Sequence, residues 1–163
     1  MYPEILYVMV EDLFETCKDK GLTLALAESC TGGLIAGCVT AVAGASMVFE
    51  RGFVTYTNKS KGELLGVPAY VFMEHGAVSE ECARAMAEGA LEHAPATLSA
   101  AVTGIAGPGG ATADKPVGLV HIAVAREGFE TRAERHVFKG DRERVRIQAV
   151  ESALRLLNQM AGL

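Results

Sequence analysis

The sequence predicts an α/β fold, a three-layer α/β/α sandwich around a mixed, mostly parallel sheet of about five strands. Three observations carry that expectation. Helical and strand patterns alternate along the first part of the chain, and three strands in succession precede the last helix. Val117 to Ala125 is an almost unbroken apolar run, as expected of a strand covered on both faces. The turn Glu127-Gly128 joins that run to a following strand as a hairpin, so at least one strand must run antiparallel. No repeat, low-complexity tract or linker divides the 163 residues, and 1–163 reads as one domain.

Leu6, Met9, Val10, Leu13, Phe14 and Cys17 recur at helical spacing, between Pro3 at the start and Gly21 at the stop. A strand over 23–28 and a helix over 33–42 follow. Gly52 to Asn58 is rich in β-branched and aromatic residues and predicts the second strand. Lys59 to Leu65 predicts one or two helical turns, stopped by Gly66 and Pro68, and Tyr70 to His75 a short helix. Ser79 reads as an N-cap with Glu80 and Glu81 in the first turn; Ala83, Met86, Ala87, Ala90 and Leu91 form the buried stripe behind it. Thr97 to Thr103 is the third strand. The charged strand 130–138 belongs at an edge, and the last helix starts after Gly140-Asp141.

A net charge of −5 argues against nucleic-acid partners, which need a basic face. Cys17, Cys30, Cys38 and Cys82 are scattered, and no histidine stands at ligand spacing from them; they read as free thiols, with no metal and no cofactor implied. Met1 to Val10 is apolar but contains Glu4 and runs straight into Glu11 and Asp12. It reads as neither signal peptide nor membrane span, and the expected location is cytoplasmic.

The chemistry concentrates in Leu24-Ala-Leu-Ala-Glu-Ser-Cys-Thr-Gly-Gly33. A buried strand, a glycine turn and a helix start would aim unpaired N–H groups at whatever sits beside Ser29. Ser29 and Cys30 are both nucleophile candidates. The competing reading makes Ser29 or Thr31 a plain N-cap and Cys30 core filling. In Tyr56-Thr-Asn-Lys-Ser-Lys61, Lys59 and Lys61 each qualify as a general base if burial lowers the pKa. Ser29, Asn58 and Thr103 fall at expected strand ends, where open sheets bind ligands. Gly104-Ile-Ala-Gly-Pro-Gly-Gly110 is neither a P-loop nor a dinucleotide fingerprint. Arg142 and Arg144 open the last helix against its dipole, so a carboxylate such as Glu143 or Glu151, or a ligand phosphate, should offset them.

Taken together, A-E-S-C-T-G-G (27–33), F-E-R-G-F-V-T-Y-x-N-x-x-K (49–61), H-G-A-V-S (75–79), G-I-A-G-P (104–108), K-P-V-G (115–118) and G-D-R (140–142) resemble the CinA C-terminal domain family, over about residues 5 to 160. The resemblance implies hydrolysis of nicotinamide mononucleotide to nicotinic acid mononucleotide and ammonia, in pyridine nucleotide salvage. By motif, the family's serine nucleophile falls on Ser29 and its lysine base on Lys61, with Tyr56 assisting; Lys59 occupies a variable position. Asn58, Thr103, Gly104 and Arg142 fall on positions expected to line the substrate pocket. The N–H groups of Cys30, Thr31, Gly32 and Gly33 are expected to hold an oxyanion. Longer members carry a further N-terminal domain, to which no segment of these residues corresponds.

Two other readings compete with the serine amidohydrolase. One is a cysteine enzyme using Cys30, a thiolate being the better nucleophile. The other is a nucleotide-sensing module without turnover, for which the serine, tyrosine and lysine together would be superfluous. The expected partners are a small-molecule nucleotide and further copies of the chain, without nucleic acid or membrane. Met1, Tyr2, Ile5, Tyr7 and Val8, with Val67 to Met73, supply apolar surface for a homodimer.

Overall fold

Leu24–Glu28 (β1) is five residues long, buried throughout, and flanked by partners on both sides. The computed structural model describes residues 1–163. Around β1 stand Phe49–Val54 (β2), Leu98–Gly104 (β3), Leu119–Arg126 (β4) and Arg132–Val137 (β5), in the order β2-β1-β3-β4-β5. β1 pairs in parallel with β2 and β3, while β4 runs antiparallel to both β3 and β5. The sheet is therefore mixed, with β4 alone reversed. Helices cover both faces, so the α/β class and its layers are as the sequence predicts.

Alternation along the strands sorts the side chains into two unlike faces. Leu24, Leu26, Leu98, Ala100, Val102, Val120, Ile122 and Val124 face one way, packed with Glu4–Lys20 (α1), Leu34–Thr40 (α2) and Arg142–Ala161 (α6). Ala25, Ala27, Ala101, Ala123 and Ala125 face the other way, against Glu80–Glu92 (α5). Small residues on that face let α5 lie close, and Asn58–Leu65 (α3) and Ala69–Glu74 (α4) complete the layer. A Cβ on Gly89 of α5 would stand 2.0 Å from the Leu65 carbonyl oxygen, so only glycine admits α3 at this distance.

After β1 the chain passes to α2 on one face; after β2 it passes to α3, α4 and α5 on the other. The strand order also reverses at β1. The carboxyl ends of β1 and β3 thus form a topological switch point, the crevice where open α/β sheets take ligands.

Several boundaries differ from the sequence expectation. β2 starts three residues earlier, at Phe49, and ends at Val54. It is an edge strand with Glu50 and Arg51 exposed, so the alternation that marks a half-buried strand is missing there. Asn58 accordingly does not end a strand. It opens α3, because Thr57 and Ser60 form a reciprocal capping box in which the Thr57 side chain accepts from Ser60 N–H. α2 is shorter than expected, and a one-turn 3₁₀ helix at Ala45–Met47 was not signalled.

The apolar residues expected to be exposed together are split. Met1, Ile5 and Val8 are exposed with α1 on one layer; Tyr70 and Met73 are exposed on α4 in the opposite layer. Tyr2 and Tyr7 pack edge to face, and Val67 and Val71 are buried. No helix is long and apolar enough to cross a membrane.

Candidate active site

The turn after β1 is made by backbone that favours glycine: Gly32 has φ +57° and Gly33 φ +100°. Ser29 N–H donates to Val102 O at 3.0 Å, extending the β1–β3 ladder by one residue. Gly32 N–H closes the turn on Ser29 O at 3.0 Å. Ser29, just past the carboxyl end of β1, is 8% exposed.

Lys61, on the inner side of α3, is only 1% exposed. Its Nζ stands 3.0 Å from Ser29 Oγ, 2.9 Å from Thr55 O and 3.3 Å from Tyr56 O. Burial lowers its pKa from the ordinary lysine value; the neighbouring Cys82 and Cys30 thiols work weakly the other way. A neutral amine has two protons and one lone pair. With the protons given to the two carbonyls, the lone pair is left for the Ser29 hydroxyl. Of the two candidate lysines, Lys59 is exposed and pairs with Glu63 at 3.7 Å, one helical turn away.

Cys30 does not share this setting. It is 5% exposed, packed into the larger apolar cluster, and burial pushes its thiol up to about 11. A thiol so placed is a poor nucleophile near neutral pH. Thr31 is fully buried, and its hydroxyl has no hydrogen-bond partner.

The helix N-terminus is occupied differently from expectation. Glu28, buried at the end of β1, accepts from Gly33 N–H and Ile35 N–H through Oε1, at 3.2 and 2.9 Å, and from Ala36 N–H through Oε2 at 3.0 Å. Its carboxylate thereby takes the dipole site that an anionic ligand would otherwise use. Gly33 and Gly32 N–H are both engaged, which corrects the expectation of four oxyanion donors. The Cys30 and Thr31 N–H groups are left without a carbonyl or side-chain acceptor.

The remaining candidates separate into rim and frame. Tyr56 is 60% exposed; its hydroxyl accepts from Arg142 Nη2 at 3.1 Å, so only its carbonyl meets Lys61. Arg142 also donates from Nη1 to Gly107 O at 2.8 Å, tying α6 to the glycine-rich loop. Neither it nor Arg144 pairs with a carboxylate side chain, so of the two alternatives the Glu143 or Glu151 partner is not formed. Asn58 is exposed, with its side chain unbonded. Thr103 is buried and donates its hydroxyl to Ala77 O at 2.8 Å, holding the H-G-A-V-S segment over the end of β3. A Cβ on Gly104 would lie 2.7 Å from Leu119 O, which makes Gly104 a packing requirement between β3 and β4.

Sequence reasoning missed Glu28, the Thr55 carbonyl and Arg146. Arg146 donates from Nε to Cys30 O at 3.0 Å and from Nη2 to Thr31 O at 3.1 Å. A signal for it existed, since it lies four residues after Arg142 and therefore on the same face of α6. No group of three or more histidine, cysteine, aspartate or glutamate side chains is placed to hold a metal ion.

A family model described as the CinA C-terminal domain matches residues 7–161. A CinA-like protein of Geobacter sp. (strain M21) is 56% identical over 140 residues, covering 86% of this chain and 34% of that protein. One from Myxococcus xanthus (strain DK1622) is 50% identical over 147 residues, covering 90% and 35%. The chain thus spans about a third of the length of these curated relatives. Among solved structures, the competence/damage inducible protein CihA from Agrobacterium tumefaciens superposes with a TM-score of 0.96 at 41% identity, over 100% of this chain and 99% of that one.

Proposed function

This chain belongs to the CinA C-terminal domain family, and we propose that it hydrolyses the carboxamide of nicotinamide mononucleotide to nicotinic acid mononucleotide and ammonia, as a step of pyridine nucleotide salvage. The single observation that carries the reading is the buried Lys61 amine 3.0 Å from Ser29 Oγ, with two carbonyls engaging its other positions. Amide hydrolysis requires an activated nucleophile, donors for the oxyanion and an acid for the leaving amine.

Ser29 Oγ attacks the carboxamide carbon as neutral Lys61 takes the hydroxyl proton. The tetrahedral oxyanion is held by the unengaged N–H groups of Cys30 and Thr31. The Lys61 ammonium then passes its proton to the departing nitrogen, ammonia leaves, and a nicotinoyl ester remains on Ser29. Water attacks that ester, Lys61 receives a proton from it, and the proton returns to Ser29 Oγ as the acid departs. The substrate's pyridinium withdraws electrons from the carboxamide, easing attack. Arg142, steadied by Gly107 O and Tyr56 OH at the rim, contacts the phosphate.

The test is ammonia release from nicotinamide mononucleotide, run with and without a chelator. Release of one ammonia per nicotinic acid mononucleotide formed, unaffected by the chelator, is expected. Absence of release, or loss of release with the chelator, contradicts the reading.

A further inference from the structure

We propose that Arg146 is a positioning residue for the oxyanion site, holding the Cys30 and Thr31 carbonyls so that the Thr31 N–H stays free for the developing charge. The assignment rests on Ser29 as the nucleophile, as read above, but not on which acyl group is transferred.

The argument starts from the peptide unit. In a planar trans peptide, the carbonyl of one residue and the N–H of the next point in opposite directions. Arg146 Nε fixes the Cys30 carbonyl at 3.0 Å, toward α6. The Thr31 N–H belongs to the same peptide and is turned away from α6. Nη2 of the same guanidinium also meets the following carbonyl, Thr31 O, at 3.1 Å, which Leu34 N–H engages at 3.0 Å as well, so one rigid group ties the Cys30–Thr31 peptide to the next plane. The Ser29 carbonyl is engaged by Gly32 N–H at 3.0 Å, which sets the plane carrying the Cys30 N–H.

Thr31 O thus has a second donor in Leu34 N–H, but nothing other than Arg146 holds the Cys30 carbonyl. Glu28 takes the amides of Gly33, Ile35 and Ala36, and none of its bonds reaches residues 30 or 31. The side chains of Cys30 and Thr31 are buried and donate to nothing. Gly32 and Gly33 are the most permissive backbone in the segment. Without Arg146, the Cys30–Thr31 peptide would keep no hydrogen bond to hold its rotation. Arg142 is turned to Gly107 O and Tyr56 OH and meets neither the Cys30 nor the Thr31 carbonyl.

The experiment follows two readouts on wild type, Arg146→Ala and Arg146→Lys. The first is phosphonylation by a fluorophosphonate ester, read by intact mass. Ser29 Oγ bonds to phosphorus, fluoride leaves and the hydroxyl proton passes to Lys61, so this probe needs the nucleophile and its oxyanion donors but no nicotinamide. The second is kcat and KM for nicotinamide mononucleotide.

Both variants should label about ten- to a hundredfold more slowly, less than the loss expected for deleting an oxyanion donor itself. kcat should fall in parallel with KM unchanged, and guanidinium ion should restore part of the rate of Arg146→Ala but not of Arg146→Lys. Lysine at 146 presents a single nitrogen in place of Nε and Nη2, so it cannot keep the two-point geometry that the guanidinium gives the two carbonyls, and the charge alone should not restore the rate. If Arg146→Ala does not fold, Arg146→Lys carries the test. Labelling of Arg146→Lys at the wild-type rate, or a loss confined to KM, would overturn the assignment, as would a wild type whose Ser29 does not label. A wild type that labels on Ser29 but releases no ammonia defeats the substrate reading alone, and the labelling rates still decide Arg146.

Discussion

Ser29 and Cys30 are neighbours in sequence but meet different environments, and the difference separates their chemistry. Ser29 stands at the end of β1 against a buried amine, whereas Cys30 points into the apolar cluster with its thiol raised to about 11. Ser29→Ala should therefore lower the rate of ammonia release by several powers of ten without unfolding the chain. Cys30→Ala should cost far less, and iodoacetamide should not inactivate. Rapid inactivation by the alkylating agent, with protection by substrate, would transfer the nucleophile to Cys30. Arg142 offers a second residue-level test. Removing a charge-assisted contact to phosphate costs about 1.5–3 kcal/mol, roughly ten- to a hundredfold in binding. Arg142→Ala should raise KM for the mononucleotide by that factor and leave activity on the dephosphorylated riboside unchanged. Arg144→Ala, on another face of α6, should do little. An equal loss of Arg142→Ala on both substrates would contradict a phosphate contact.

At the scale of elements, α3 matters because it brings Lys61 to β1, and its seat is defined by Gly89. A Cβ there meets the Leu65 carbonyl at 2.0 Å, one helical turn beyond Lys61. Backbone cannot yield as a flexible side chain can, so Gly89→Ala should push α3 outward. Such overpacking costs about 1–3 kcal/mol, to be read from urea unfolding. Because Lys61 moves with the helix, kcat should fall too; wild-type stability and rate together would show that α3 is not held this way. Elements of this kind were legible in unequal measure. β4 was plain because both its faces are covered, and α5 because Ser79 caps a clear apolar stripe. β2 was displaced because an edge strand carrying Glu50 and Arg51 has no alternation to read, and Thr57's cap pulled Asn58 into a helix. Ser29 and Lys61 could be singled out from motifs, and the fold brings them within 3.0 Å. Glu28 and Arg146 could not, because their partners are backbone groups at positions fixed only by the tertiary fold.

For the whole molecule, the switch point at β1 determines where Ser29, Lys61 and the free amides of residues 30 and 31 gather. The exposed apolar groups lie elsewhere, on opposite layers: Met1, Ile5 and Val8 on one, Tyr70 and Met73 on the other. A two-fold dimer remains our proposal, since closed dimers are the commonest way such surface is covered. Light scattering at micromolar concentration should give twice the chain mass. Ile5→Glu and Tyr70→Glu should differ, with only the one on the interface producing a monomer; a wild-type monomer would refute the dimer. The account as a whole depends on Lys61 acting as a neutral base. Its pKa is lowered by burial, and the base is active only when unprotonated, so rate should climb with pH and level off once that lowered value is passed, short of the ordinary 10.5. Guanidinium does not give up its proton in this range. The most direct measurement is therefore the pH–rate profile of ammonia release from nicotinamide mononucleotide for wild type, Lys61→Arg and Lys59→Arg. A rising, levelling profile for wild type and Lys59→Arg, with Lys61→Arg inactive throughout, is the predicted result. A Lys61→Arg enzyme that retains the wild-type rate would contradict the account.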